Sequence, residues 1–258
     1  MAGDGVFGIR PALLGHRGCG RGVVEGFQEN TLESFLEAVR LGIDWVEVDV
    51  RRTSDDWLVV VHNPADDEGV FYADITGSEA VGGGALRLEE LLAALPPGVG
   101  VDFDVKTAME DATRDRALTT MGQLAPIAQR EAARRPTLIS SFDVGALDIA
   151  RELAPGSPRA LLTWVDFPIG QAVAAAGHLD VQVLAPHWGS LRPNQIEPEA
   201  LQRPLSYVVE TVHASGREFL AWCPKLEFAQ QLLDAGVDAL CVNNVPKTLA
   251  TLAPLPAS

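Results

Sequence analysis

Residues 13–63 read LLGHRGCGRGVVEGFQENTLESFLEAVRLGIDWVEVDVRRTSDDWLVVVHN, and this stretch decides the fold. Ala12 to Gly15 is a short apolar run that ends at His16-Arg17. Residues 18–28 are rich in glycine and read as a loop. Leu32, Phe35, Leu36 and Val39 then recur at i, i+3, i+4 and i+7, the spacing of one helical face. Asn30 or Thr31 can cap that helix, with Glu33 three residues after Asn30 as in a capping box. Arg40 and Gly42 are stop signals. Val46, Val48 and Val50 alternate with Glu47 and Asp49, which puts both carboxylates on one side of a strand over 43–50. Trp57 to Val61 predicts the return arm of a hairpin, ending at His62.

Outward from there, the pattern repeats. Residues 64–84 read as a loop and Leu86 to Leu95 as a short helix. Strands are expected over 99–105, 137–142, 159–164, 181–185, 218–222 and 239–242. Helical or helix-length segments separate them, with Pro126 interrupting the one over 117–134. Together with the first two strands this makes eight, each joined to the next by a crossover long enough for parallel pairing. Eight is the number that closes a (β/α)8 TIM barrel, so the expected class is α/β, one barrel domain over 12–258 behind a flexible tail over 1–11. A doubly wound open sheet is the competing architecture.

The chain carries 35 acidic against 20 basic residues, a formal charge of −15. That excludes nucleic acid and anionic membranes as expected partners and requires local cations to hold any anionic substrate. Cys19, Cys223 and Cys241 form no C-x-x-C pair, and no apolar run suits a signal peptide or a spanning helix. A cytoplasmic protein with no stable membrane insertion is expected; the oligomeric state is not legible.

In such barrels, function collects where the strands end. Those ends carry His16 and Arg17; Glu47 and Asp49, with His62 from the hairpin; Asp104 and Lys106; Trp164; His187 and Trp188; Trp222; and Asn243 with Asn244. Charges inside apolar strands are costly unless partnered. Glu47, Asp49 and Asp104, with Glu29 from the first loop, therefore suit one hard divalent cation bound through oxygen, Mg2+ or Ca2+, with Mn2+ a third candidate. His16 and His62 supply a base and an acid near neutral pH. Arg17 and Lys106 offer positive charge to a phosphate. Trp222 either fills the mouth or faces an alcohol head group, and His187 either touches substrate or is structural. Gly18, Gly20 and Gly22 lack the G-x-G-x-x-G spacing of a dinucleotide site. His178 and His213 read as surface groups, and Arg134-Arg135 as the end of a solvated helix.

These motifs resemble the glycerophosphodiester phosphodiesterase family, within the barrels that include phosphatidylinositol-specific phospholipase C. The likeness rests on Gly15-His16-Arg17-Gly18, Glu29-Asn30-Thr31, Glu47-Val48-Asp49-Val50, His62, the 102–106 segment Asp102-Phe103-Asp104-Val105-Lys106, Trp222 and Gly236-Val237-Asp238. It implies hydrolysis of a small-molecule glycerophosphodiester to glycerol 3-phosphate and an alcohol. His16 and His62 would do the acid–base work, Glu47, Asp49 and Asp104 would hold the cation near Glu29, and Arg17 and Lys106 would hold the phosphate. The chain departs from the pattern at Asn63, where the family has Asp, and at Asn243-Asn244, where a Thr-Asp pair is common. The alternatives are a phospholipase-D-like enzyme acting on lysophospholipid head groups and a non-catalytic barrel that binds phosphodiesters.

Overall fold

The computed structural model describes residues 5–8 and 11–252. Eight parallel strands close into a ring: β1 Ala12–His16, β2 Trp45–Arg52, β3 Gly100–Val105, β4 Thr137–Ser141, β5 Arg159–Thr163, β6 Val183–Pro186, β7 Glu218–Trp222 and β8 Ala239–Val242. β1 pairs with β8 on one side and β2 on the other, which completes the closure. The helices that follow the strands are α1 Leu32–Arg40, α2 Gly77–Gly82 and α3 Leu88–Ala94 between β2 and β3, α4 Thr120–Ala132, α5 Val144–Leu153, α6 Ile169–Leu179, α7 Leu205–Ala214, α8 Leu226–Asp234 and α9 Val245–Thr251. The (β/α)8 barrel is as the sequence led us to expect, and the open sheet is excluded. No described helix is long and apolar enough to cross a membrane.

The two-residue alternation of the strands divides the molecule into two cores. One set of positions faces the helices: Val46, Val48 and Val50 pack with Val101, Phe103, Val105 and the apolar stripes of α3 and α4. The other set fills the barrel: Leu14, Trp45, Leu138, Leu162, Val183 and Leu220. This interior is apolar in its lower half and polar above, because the same parity continues up the strands into His16, Glu47, Asp49, Asp102 and Asp104.

Several local features differ from expectation. Phe7 belongs to the stretch expected to be a tail, yet it is only 4 % exposed and sits edge-on to Trp45 at 5.4 Å. Its N–H donates to Glu218 Oε2 at 3.3 Å, so these residues close the floor of the barrel. Trp45 in turn lies on Gly100, where a Cβ would come within 2.2 Å of the indole. Residues 1–4, 9–10 and 253–258 of the expected tail and barrel lie outside the described residues.

The loop expected over 18–28 contains a two-residue ribbon, Val23–Val24 against Phe27–Gln28. Helix α2 lies inside the expected loop 64–84, started by a capping box of Thr76 and Glu79. Leu86–Arg87 is not helical; it pairs with Leu58–Val60, which continues the hairpin from β2. Helix α4 runs through Pro126 rather than stopping there, because Leu124, Ala125 and Ala128 are buried on either side of it. Arg135 is not solvated: it is 4 % exposed, pairs with the fully buried Glu131 at 3.0 Å and donates to the carbonyl oxygens of Leu92 and Leu95. His213 is exposed, as expected, and its bond to Asp238 at 2.8 Å ties α7 to the start of β8.

Phe7→Ala is expected to lower unfolding free energy by about 3 kcal/mol, the usual loss for a buried phenylalanine. Urea denaturation measures it; a loss under about 1 kcal/mol would mean that the floor lies outside the cooperative core.

Candidate active site

The upper half of the barrel forms a cavity of about 450 Å3 at the C-terminal ends of the strands. Its acidic wall is built from two neighbouring strands in register. Glu47 pairs with Asp102 and Asp49 with Asp104, giving two tiers of carboxylates roughly 6.5 Å apart along the strands. One step higher, beyond the Val50–Val105 pair, Arg51 and Lys106 continue the same faces as a third, cationic tier. On the other side of β2, His16 is in register with Glu47.

Glu47, Asp49 and Asp104 each bring one carboxylate oxygen within 4.8 Å of the others. Glu47 Oε1, Asp49 Oδ1 and Asp104 Oδ1 are buried and accept no hydrogen bond. Three buried carboxylates this close together, each with an oxygen that accepts no hydrogen bond and with only Lys106 Nζ near that of Asp49, suit a hard divalent cation. The residues present thus fit the expected metal. Glu29, the fourth expected ligand, is not in the cluster. It accepts from Arg17 Nη1 at 2.7 Å and from the N–H of Gly22.

The cations balance this wall unequally. Lys106 Nζ lies 3.1 Å from Asp49 Oδ1 and donates to Asp104. Arg17 Nε lies 3.2 Å from Asp49 Oδ2, while its backbone N–H donates to Glu47 Oε2 at 3.0 Å. Burial alone would raise the Asp49 carboxyl, but Lys106 and Arg17 outweigh it and hold Asp49 below the usual range. Burial pushes Glu47 well up, and repulsion from Asp49 and Asp104 adds to it. Burial also raises Asp104, against the pull of Lys106, and lifts Asp102 to about 8. Asp49 is thus the fixed negative charge of the wall.

The backbone around Arg17 is shaped to deliver it. Arg17 is in the left-handed region at φ 55°, and Gly18 follows at φ 97° against α1, where a Cβ would lie 2.5 Å from Ser34 Oγ. Asn30 also has a positive φ, 58°, and donates through Nδ2 to Asp49 Oδ2 at 2.9 Å. Asn30 therefore serves the site, and Thr31 alone caps α1 by accepting from the N–H of Ser34.

Both histidines line the cavity beside the acidic wall. His16 is buried, with Nε2 3.8 Å from Glu47 Oε2. Its Nδ1 is 2.6 Å from Asn243 Oδ1, which accepts, so the proton resides on Nδ1. Cys223, at φ 52°, donates its thiol to the same oxygen at 3.1 Å, and burial keeps that thiol protonated by raising it to about 12. Burial lowers His16 to about 4, reinforced by Arg17, so the ring is neutral at pH 7. His62 sits nearer the mouth and is lowered by its partial burial; Asn63 Oδ1 accepts from its Nδ1 at 2.9 Å. The partner of His16 at the end of β8 is Asn243, whereas Asn244 caps α9 through the N–H of Lys247.

The wall facing the acidic one is aromatic. Trp164, 64 % exposed, stacks on Phe142 at 4.2 Å, and Trp222 meets Phe142 edge-on at 5.6 Å. Trp222 Nε1 donates to the carbonyl oxygen of Thr163 at 3.2 Å, which leaves only its ring for the cavity. His187 packs against Trp222 and accepts from the N–H of Gly189, a structural position outside the cavity lining. Trp188 is buried against Phe228. The sequence reading offered Asn30 only as a possible cap of α1 and gave no site role to Arg51, Asp102 or Cys223. The two-residue parity of β2 and β3 was the available signal for Arg51 and Asp102; nothing local signals Cys223, which approaches His16 across the chain ends of the barrel.

A family model described as the glycerophosphoryl diester phosphodiesterase family matches residues 16–70 and 68–247. A glycerophosphodiester phosphodiesterase of Arabidopsis thaliana is 24 % identical over 198 residues, which cover 59 % of this chain and 53 % of the relative. The chain thus matches about half the length of that relative. A probable glycerophosphodiester phosphodiesterase of Mycobacterium tuberculosis is 25 % identical over 239 residues, 83 % of this chain and 81 % of its own. Among solved structures, an Oleispira antarctica phosphodiesterase in complex with the product sn-glycerol-3-phosphate has the same fold, with a TM-score of 0.73 and 22 % identity over 96 % of this chain and 99 % of that one.

Glu47→Gln keeps an acceptor for the N–H of Arg17 and removes one of three crowded charges. With chelator present it is expected to stabilise the protein by roughly 1–2 kcal/mol, as replacing buried charge often does. Chemical denaturation at pH 7.5 measures this; a destabilised variant would show that the wall is already balanced without a cation.

Proposed function

Because the chain belongs to the glycerophosphoryl diester phosphodiesterase family, we propose that it hydrolyses glycerophosphodiesters to glycerol 3-phosphate and an alcohol. The observation that carries this reading is a cluster of three buried carboxylates beside a cavity that two histidines, Arg17, Arg51 and Lys106 line. The product bound to the Oleispira relative supports the same substrate class.

Glu47, Asp49 and Asp104 would hold one divalent cation, Mg2+ or Ca2+, with Mn2+ a third candidate. When bound, it supplies positive charge against the phosphoryl oxygens. Arg17 and Lys106 bind the non-bridging oxygens and offset the negative field of the chain. Glu29 acts by aiming the Arg17 guanidinium. His16 enters the reaction neutral, with Nδ1–H held by Asn243 and the Nε2 lone pair free to take a proton from the attacking oxygen, either water or the glycerol hydroxyl beside the phosphorus. His62, nearer solvent, takes a proton from water to become the imidazolium and gives it from Nε2 to the departing alcohol oxygen. His16 then returns its extra proton to water, so each ring ends as it began. The rings of Trp222, Phe142 and Trp164 form the face against which the carbon skeleton of the substrate packs.

Incubation with glycerophosphocholine and Mg2+ or Ca2+ is expected to release glycerol 3-phosphate. His16→Ala and His62→Ala are each expected to lower kcat by about 10²–10⁴-fold. Wild-type rates in either variant would remove that histidine from the mechanism. Turnover of lysophosphatidylcholine alone would favour the phospholipase-D-like alternative, and no turnover of either ester would leave a binding barrel.

A further inference from the structure

Arg51 is the one cation of the site that no carboxylate holds, among the described residues. Arg17 is committed to Glu29 and Asp49, Lys106 to Asp49 and Asp104, and the neighbouring Arg52 to Asp111 at 2.7 Å. Arg51 donates only through Nε, to the carbonyl oxygen of His62 at 2.9 Å. Its two terminal nitrogens have no protein acceptor among the described residues. Asp49 and Asp104 act on this partly buried guanidinium from a distance, but burial outweighs them and pushes it below its usual range, so a bound anion there would offset that cost.

The space around Arg51 explains what an anion there would belong to. Arg51, Lys106, Thr107 and Pro64 line the catalytic cavity and also a second cavity of about 220 Å3 beside it. The two volumes therefore meet at the cationic tier, directly above Asp49 and Asp104. The walls of the second cavity include Tyr72, Phe71 and Met109 on the far side from the aromatic face formed by Trp164 and Phe142. Its single lining carboxylate is the exposed Glu110. Arg51 on β2, Lys106 and Thr107 after β3, and Tyr72 from the segment between the hairpin and α2 line this volume from three parts of the chain. Donors from several directions suit a tetrahedral anion with three oxygens better than a planar carboxylate.

We propose that the second cavity is a subsite for a phosphomonoester carried on the alcohol arm of the diester, and that Arg51 binds it. The chain then selects glycerophosphodiesters whose alcohol is itself phosphorylated, with the scissile phosphate at Arg17 and Lys106 and the terminal phosphate at Arg51. The inference rests on the phosphodiesterase reading for the identity of the first phosphate, and it adds a substrate class to it.

Non-hydrolysable probes separate the two. Glycerol 3-phosphate offers one phosphate, and glycerol 1,3-bisphosphate offers two at the spacing of a phosphorylated arm; calorimetry compares their affinities. The wild type is expected to bind the bisphosphate roughly tenfold more tightly or better, the size of one charge-assisted hydrogen-bond set. Arg51→Gln is expected to bring the ratio of affinities close to one, and Tyr72→Phe to lower it severalfold. Tyr72→Phe carries the test if Arg51→Gln does not fold. Equal affinity for the two probes in the wild type, or a ratio that survives both substitutions, would overturn the subsite. An Arg51-dependent preference in a protein that cleaves no diester would remove the hydrolase reading and leave the subsite standing.

Discussion

Everything at the top of this barrel depends on the charge of Asp49. It is fully buried, in the middle tier of the acidic wall, and two cations and an amide converge on it: Arg17, Lys106 and Asn30. Those contacts fix the left-handed turn at Arg17, the start of α1 and the end of β3. They also keep Asp49 ionised while burial pushes Glu47 and Asp104 the other way. A wall with one firmly negative member and two reluctant ones is strained when dry and relaxed by a divalent cation. The same arrangement explains how an acidic chain can receive an anionic substrate: the positive groups stand above the carboxylates, at the mouth, where the substrate enters.

The barrel was legible because period-two alternation and crossover length are local properties. The alternation in Trp45-Val46-Glu47-Val48-Asp49-Val50 showed that both carboxylates share a face before any partner strand was known. Extended by two residues, it also places Arg51 on that face, and on β3 it places Asp102 below Asp104. What was not legible depends on contacts distant in sequence. Phe7 looks like a tail residue until Trp45 and Glu218 are brought beneath it. Arg135 looks solvated until Glu131 and the carbonyl oxygens of α3 surround it. Cys223 and Asn243 reach His16 from 207 and 227 residues away, and no spacing encodes that.

Two departures from the family pattern take on physical meaning in this geometry. Asn63 keeps the acceptor that His62 needs at Nδ1 but removes a negative charge from the mouth, so the upward pull of Asp49 and of the Asn63 oxygen does not offset the effect of burial on the ring. In the Asn243-Asn244 pair the lost charge is at Asn244, which caps α9, while the neutral Asn243 gives His16 its acceptor and the Cys223 thiol donates to the same oxygen. Both histidines are thereby oriented by neutral oxygens rather than carboxylates. The mouth is less negative than an aspartate at either position would make it, in keeping with a site that admits a charged substrate.

On the proposed function, Glu47, Asp49 and Asp104 hold one cation together. Titration calorimetry with Mg2+ and Ca2+ tests it most directly, on the wild type and on Glu47→Gln, Asp49→Asn and Asp104→Asn, each first shown to be folded. The account predicts one ion per chain for the wild type and a large loss of affinity in each of the three variants. No binding of either ion by the wild type, or binding that persists unchanged when any one of the three carboxylates is removed, would contradict it.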